Sequence, residues 1–309
     1  MSDASTPATA PETPQAAPHA PEQTPTAATT GASGDATPNP GQEQVRRLRS
    51  HFTATVRSPA DLMISVCVSR EVPVAEESFT FTVDGVDVDA EQLDGNHGTR
   101  WHIAREVPTG ELEVTYEARV VGREPQAAAT PVDLMEYLWP SRYCDSDRLA
   151  HRAQVAFGGL AGRELQDAVV SSVRDRIAYV VGSSRVVDGA SDTFLQGSGV
   201  CRDFAHLVIA MLRARGVPAR LVSVYAPGLS PMDFHAVVEA WVEGRWCLVD
   251  ATGLAPRESM VRIATGRDAA DTAFLTVTRG QVDFGAVEVT ATVEPGLPVE
   301  DPAKLVELG

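Results

Sequence analysis

The sequence contains few cysteines and no cysteine pair with the spacing of metal ligands. Its four cysteines are Cys67, Cys144, Cys201 and Cys247, and no C-x-x-C motif occurs. Zinc sites built from closely spaced cysteine pairs are therefore excluded. Four cysteines in a chain of 309 residues also do not indicate a disulfide framework.

Long apolar runs and a recognisable signal peptide are absent as well. No apolar run reaches the roughly 18 residues that a membrane span requires. No basic region precedes Arg46, and no apolar segment follows the N-terminus. We therefore expect a cytoplasmic protein that does not bind a membrane.

Positive charge is scarce in this chain. Lys304 is the only lysine, and the formal net charge is -16 at pH 7. A protein that binds nucleic acid requires a basic surface to contact the phosphates. The composition therefore argues against a nucleic-acid partner.

Changes in composition along the chain predict four segments. Residues 1–45 are rich in Ala, Pro and Thr and should be disordered, because they cannot bury enough apolar surface to offset the entropy of ordering. Residues 46–122 contain β-branched and aromatic runs separated by turn formers, which predicts a small antiparallel β domain. Residues 130–295 should form the catalytic core, and residues 296–309 a C-terminal extension. Helices followed by a mostly antiparallel sheet give an α+β fold class.

Within the core, the hydrophobic period predicts two helices and several strands. Residues 163–181 have one apolar face at helical spacing. A second helix should begin near Cys201 and end at Gly216, where glycine precedes Val-Pro. The segments F-H-A-V-V-E-A-W-V and R-W-C-L-V-D are typical of strands, and D-T-A-F-L-T-V-T-R-G and V-D-F-G-A-V-E-V-T-A-T-V are further strand candidates.

Cys201 is the candidate nucleophile. It follows the loop Gly197-Ser198-Gly199 and opens the second predicted helix. Free backbone N–H groups and the positive end of the helix dipole favour a thiolate there. The same N–H groups can donate to a developing oxyanion. A buried, inert cysteine on an apolar helix face is the alternative.

His235 and Asp250 are the candidate base and its orienting carboxylate. Glu243-Gly244 predicts a two-residue hairpin turn in which Trp241 faces Trp246. In that register His235 and Asp250 share one face of the sheet as diagonal neighbours, roughly 7–8 Å apart. One more residue in the turn would move Asp250 to the other face. The three residues together predict a Cys-His-Asp triad.

Other polar residues near these motifs are weaker candidates. Gln196 precedes the glycine loop and could donate to an oxyanion or cap a backbone group. Asp233 would share the strand face of His235 and is a rival orienting carboxylate. Asp203 is assigned to a salt bridge. His206 stands about 140° around the helix from Cys201 and should not reach it.

The motifs G-S-G-V-C-R-D-F-A-H-L, D-F-H-A-V-V-E-A-W and V-R-I-A-T-G-R-D-A-A-D-T-A-F resemble those of bacterial proteins with a transglutaminase-like core. The resemblance covers residues 134–278. It implies a papain-like core in which a helix carries Cys201 and adjacent strands carry His235 and Asp250. It also implies that the chemistry uses no metal, and we expect no cofactor. Asp250-Ala251-Thr252 departs from the more usual Asp-Pro-Thr, so the turn after the aspartate should differ.

These features predict a thiol-dependent acyl-transfer enzyme that acts on amide or peptide bonds through a thioester intermediate. The expected partner is a peptide or protein carboxamide. Hydrolysis by a protease, amidase or deamidase is favoured over protein cross-linking. An acyl-CoA-dependent N-acyltransferase and a catalytically silent scaffold on the same fold are the alternatives. The sequence does not predict the oligomeric state.

Overall fold

The computed structural model describes residues 44–126 and 128–308, which form two antiparallel sheets, a short parallel pair of strands and five α-helices. Residues 1–43 of the predicted tail lie outside the described residues. The strands β1 to β13 are, in chain order, Val45–Ile64, Val74–Val83, Val86–Asp87, Glu91–Asp94, Arg100–Val107, Gly110–Val121, Ala178–Tyr179, Ser198–Gly199, Ala219–Tyr225, His235–Val242, Arg245–Val249, Val261–Gly266 and Leu275–Glu294. The helices α1 to α5 are Pro131–Glu136, Ser146–Phe157, Gly162–Arg176, Ala190–Gln196 and Cys201–Ala214.

The first sheet is built around the long strand β1. Along β1, buried and more exposed residues alternate over most of its length, as in a strand with one face in a core. Its neighbours on one edge are β6 and then β5, and β13 lies along the other edge. The outer strands β2, β3 and β4 complete a seven-stranded sheet. The predicted α+β class, with an all-β region before the core, is confirmed.

Strand β13 joins the first sheet although it follows the core in sequence. Its residues pair along β1 from Val45 with Glu294 to Ile64 with Leu275. The two strand candidates predicted near the C-terminus are therefore one continuous strand. The predicted boundary at residue 295 does not coincide with the return of the chain to this sheet, which occurs at Leu275.

The second sheet carries the helices. Its strand order is β11-β10-β9-β12, and every pair is antiparallel. Helix α5 is almost completely buried and packs with α2 and α3 in one apolar cluster together with residues of β9, β10 and β11. The helix ends before Gly216, whose φ of 77° lies in the left-handed region. The predicted helix from Cys201 is thus confirmed.

Helix α3 is shorter than the apolar period predicts. It ends at Arg176, and Ile177 adopts an extended conformation. Ala178 and Tyr179 then pair in parallel with Ser198 and Gly199. The prediction of a helix to residue 181 was wrong because these two pairs hold the chain extended.

The C-terminal residues 296–308 pack on the second sheet. The backbone N–H of Leu248 donates to the carbonyl of Val306, and both Val306 and Leu308 are buried. Arg257 forms an ion pair with Glu300. No helix among the described residues is long and apolar enough to cross a membrane.

A buried charge network ties three strands of the second sheet together. Glu239 on β10 accepts hydrogen bonds from Arg220 on β9 at 2.7 Å and from Arg262 on β12 at 2.8 Å. Arg262 also donates to Glu124 at 3.0 Å, and all four side chains are buried. Burial alone would raise the pKa of Glu239, but the two arginines lower it to about 2. Glu239 is therefore ionised, whereas burial raises the pKa of Glu124.

Replacing Glu239 should destabilise the fold strongly. In Glu239→Gln, Arg220 loses its carboxylate partner in a buried setting, which costs about 3–5 kcal/mol. The apparent free energy of unfolding from urea denaturation measures this loss. The control Glu117→Gln removes the partner of Arg49 in an exposed pair and should cost at most about 1 kcal/mol. If both variants lost the same small amount of unfolding free energy, the stabilising role assigned to Glu239 in the buried network would be contradicted.

Candidate active site

The hairpin of β10 and β11 places the two predicted strand residues. Glu243 and Gly244 form its two-residue turn with φ values of 54° and 77°. Trp241 pairs with Trp246, as predicted, and the ladder continues to Val238 and Val249. His235 begins β10 and Asp250 directly follows β11. The predicted register is confirmed.

His235 and Asp250 are in direct contact. His235 Nε2 lies 3.0 Å from Asp250 Oδ2, and both side chains are almost completely buried. The other carboxylate oxygen, Oδ1, accepts hydrogen bonds from the Thr252 hydroxyl at 2.7 Å and the Thr252 backbone N–H at 2.8 Å. Each carboxylate oxygen therefore has its own partners, which fixes the orientation of Asp250.

These contacts keep the histidine and the carboxylate charged. Burial would lower the pKa of His235, but the hydrogen bond to Asp250 and the interaction with the neighbouring Cys201 side chain outweigh it and raise the pKa to about 10. Burial would raise the pKa of Asp250, but the bond to His235 and those from Thr252 lower it. The pair is thus an imidazolium and a carboxylate at neutral pH.

Cys201 lies at the start of α5, held there by a tight loop. The backbone N–H of Val200 donates to Asp203 Oδ2 at 2.8 Å, which caps the helix. A Cβ atom on Gly199 would lie 2.6 Å from the Cβ of Asp203, so only glycine fits this approach. Cys201 is partly exposed, whereas the other three cysteines are buried.

The loop and the hairpin bring Cys201 to His235. The Cys201 side chain is among the groups that raise the pKa of His235. Since Nε2 of His235 bonds Asp250, its Nδ1 is the nitrogen left for the thiol, and Nδ1 has no hydrogen-bond partner among the described residues. The structure therefore assembles all three predicted residues: a partly exposed thiol beside a buried, charged imidazole.

Tyr179 is a neighbour of Cys201 that the sequence analysis missed. It pairs with Gly199 in the short parallel strands, which places it next to the loop that precedes Cys201. Burial and then the Cys201 side chain raise the pKa of Tyr179 to about 12, while a hydrogen bond from the Cys201 backbone N–H acts in the opposite direction. In the sequence, the only sign of this role was an aromatic residue that follows the last turn of α3.

The weaker candidates take other positions. Gln196 donates to Asp188 at 3.3 Å and Asp203 pairs with Arg202, as predicted for the latter. Asp233 accepts a hydrogen bond from the Phe234 backbone instead of orienting His235. The ring of His206 accepts a hydrogen bond from the Ala269 backbone. Within residues 44–126 and 128–308, no three His, Cys, Asp or Glu side chains are grouped so that they could hold a metal ion.

Comparison with known proteins gives a family match over this site. A family model described as the transglutaminase-like superfamily matches residues 154–251, a range that includes Cys201, His235 and Asp250. The crystal structure of a candidate cysteine protease from Cytophaga hutchinsonii is similar to this chain with a TM-score of 0.77 and 31% sequence identity. That similarity covers 86% of this chain and 96% of the other.

Two mycobacterial proteins without an assigned activity are similar over shorter stretches. A Mycobacterium leprae protein is 30% identical over 181 residues, which cover 54% of this chain and 63% of the relative. A Mycobacterium tuberculosis protein is 31% identical over 118 residues, which cover 33% and 38% respectively. The chain thus matches less than two thirds of the length of either relative.

Removing the Asp250 carboxylate should lower the pKa of His235. In Asp250→Asn, burial and loss of the ion pair should bring it from about 10 to near or below the ordinary value of about 6.5. Thr252→Val keeps the carboxylate and should lower the pKa less. NMR titration of the histidine ring signals measures both.

The same substitution should change the pH dependence of stability. The pKa of His235 is raised in the folded state. The stability that its charge contributes to the fold is therefore fully present below about pH 6.5 and is lost as the pH rises through about 10. Asp250→Asn should remove that loss. His102, whose pKa burial lowers to about 4, serves as an internal reference. An unchanged pKa of His235 would show that Asp250 does not set its charge.

Proposed function

The chain belongs to the transglutaminase-like superfamily, and from this we propose that it is a cysteine-dependent enzyme that attacks amide or peptide carbonyls. Cys201 would be the nucleophile, His235 the acid and base, and Asp250 the orienting carboxylate. The reaction would proceed through a thioester on Cys201.

One observation carries this proposal. A buried His235–Asp250 pair, with Nε2 and Oδ2 3.0 Å apart, leaves Nδ1 for the partly exposed thiol at a helix N-terminus. A buried ion pair contributes little to stability by itself, since desolvation offsets much of its attraction. Its placement beside a thiol is what acyl transfer requires, because the imidazole must first accept a proton and later return it.

The proposed steps follow from these positions. In the resting pair the thiol proton is held on Nδ1 of His235, so the sulfur attacks as a thiolate and Sγ of Cys201 forms a bond to the carbonyl carbon while the carbonyl π electrons move to oxygen. When the C–N bond breaks, His235 donates that proton to the leaving nitrogen, and the acyl group remains on sulfur. A water molecule then loses a proton to His235 and attacks the thioester. The carboxylic acid leaves and the proton returns to the thiol.

Two donors are available for the oxyanion of the tetrahedral intermediate. The first is the backbone N–H of Cys201 at the positive end of α5. The second is the hydroxyl of Tyr179, which accepts a hydrogen bond from that N–H before substrate binds. An entering carbonyl oxygen would replace this contact and accept from both groups. Gln196 is engaged with Asp188, so we do not assign it this role.

Water is the favoured acyl acceptor. The Cytophaga hutchinsonii relative, 31% identical to this chain, is named as a candidate cysteine protease. A peptide or protein carboxamide is accordingly the substrate class we propose, and hydrolysis is the reaction.

The thiol of Cys201 should be activated by His235. At pH 6 we expect iodoacetamide to label Cys201 at least about ten times faster than an ordinary thiol of pKa about 8.5. His235→Ala should remove this advantage, and Cys201→Ser should abolish both labelling at this site and amide cleavage. Labelling rates between pH 5 and 9, with peptide mapping of the label, measure the effect.

The control for the histidine is His51→Ala, because His51 lies on β1 and bonds Thr115 away from the site. It should label like the wild type. If the labelling rate of the wild type followed an ordinary thiol titration, or if the label lay on another cysteine, the enzyme proposal would be contradicted and a scaffold would be favoured.

The Tyr179 hydroxyl should contribute to the rate of the chemical step. Tyr179→Phe keeps the ring contact with Phe204 but removes the donor. We expect kcat for a peptide amide to fall by about 10²-fold with little change in KM, as for loss of one oxyanion donor. An unchanged or increased kcat would contradict this role.

A further inference from the structure

Exposed aliphatic side chains are concentrated in the segment beside Tyr179. Among the described residues, sixteen large hydrophobic residues are exposed, and five of them lie within positions 180–195. We call these five the aliphatic lip: Val180, Val181, Val186, Val187 and Leu195. Their exposures run from 44% for Val180 to 78% for Val181. Single exposed apolar residues are normal on a surface, whereas exposed apolar residues that are grouped together are typical of binding surfaces.

The segment that carries the lip is fixed to the helix of the nucleophile. Arg202, the residue after Cys201, donates to Ser184 Oγ at 2.6 Å and to the Arg185 carbonyl at 2.9 Å. The backbone N–H of Val180 donates to the carbonyl of Gly199 at 3.0 Å. The segment that carries the lip is therefore attached two residues before Cys201, at Gly199, and one residue after it, at Arg202.

The far end of the segment is also held. Asp188 is buried and accepts hydrogen bonds from the Arg185 backbone and side chain and from Gln196. A surface that is held in place before its ligand arrives loses less conformational entropy on binding. The segment that carries the lip is thus held in place beside the residues that flank Cys201.

A carboxylate stands near the same site. Asp233 precedes β10 by two residues, and its charge acts on both Tyr179 and His235. It is exposed, and no arginine or lysine among the described side chains forms an ion pair with it. Partial burial raises its pKa, and the Phe234 backbone and the charge of His235 act in the opposite direction. An acidic side chain of a substrate in this place would meet a like charge, whereas an aliphatic one would not.

We propose that the aliphatic lip binds an aliphatic side chain next to the reactive carboxamide, so that the substrates are peptides or proteins with Leu, Ile or Val, and not Asp or Glu, beside the scissile bond. This inference rests on the proposed function for its substrate and names the specificity of that site. Covering the lip removes apolar surface from water, which supplies the binding energy.

The test uses the reaction of Cys201 with two haloacetamides and does not require turnover. N-(3-methylbutyl)iodoacetamide carries an aliphatic group, and N-(2-hydroxyethyl)iodoacetamide carries a polar group. We expect the aliphatic reagent to label Cys201 at least about ten times faster at low concentration, and to saturate. The doubly substituted Val186→Ser, Val187→Ser protein should lose this preference but keep its rate with the polar reagent. Val155→Ser is the matched control, because Val155 is 73% exposed on α2.

The outcomes separate this inference from the proposed function. The proposal that the lip binds an aliphatic group would be contradicted by equal labelling rates with the two reagents in the wild type. It would also be contradicted if the double variant lost the same factor in labelling rate with both reagents. Slow labelling by both reagents at pH 6, with the preference intact, would overturn the enzyme and leave the lip as a binding surface. If both the enzyme and the lip are supported, peptides that differ only in Leu, Ser or Glu beside the scissile amide should rank in that order by kcat/KM.

Discussion

The candidate site depends on the register of one β-hairpin. The two-residue turn at Glu243 and Gly244 aligns β10 with β11 so that His235 and Asp250 meet at the open end of the hairpin, 3.0 Å apart. Because side chains alternate along a strand, a slip of one residue would separate them completely. Both side chains are almost completely buried, so neither charge could be kept without the other.

The buried charges on β9, β10 and β12 explain how this register is kept rigid. Glu239 lies four residues after His235 on β10 and bonds Arg220 and Arg262 on two other strands. Such a network does not add much stability compared with apolar packing, but it tolerates only one arrangement of its strands. The sheet therefore holds the imidazole at a defined position against α5, whose first residue supplies the thiol.

Local patterns predicted much of this arrangement, and non-local pairing limited the prediction. The hairpin turn, the start of α5 and the end of that helix at Gly216 each depend on residues close together in sequence. The pairing of β13 with β1 joins residues as distant as Val45 and Glu294, and no local pattern identifies such partners. Tyr179 was missed for the same reason: pairing with Gly199 stops a helix that the apolar period alone would continue.

Burial determines which thiol of the chain can react. Burial raises the pKa of Cys67 to about 12 and raises those of Cys144 and Cys247, so these three remain protonated and shielded. Cys201 alone combines partial exposure with a charged imidazole behind it. The proposed acid and base is therefore shielded from water, while the proposed nucleophile is open to substrate. A substrate that covers Cys201 and the neighbouring aliphatic lip would exclude water from the thiol, which strengthens every charge interaction in the site as the acyl group is transferred.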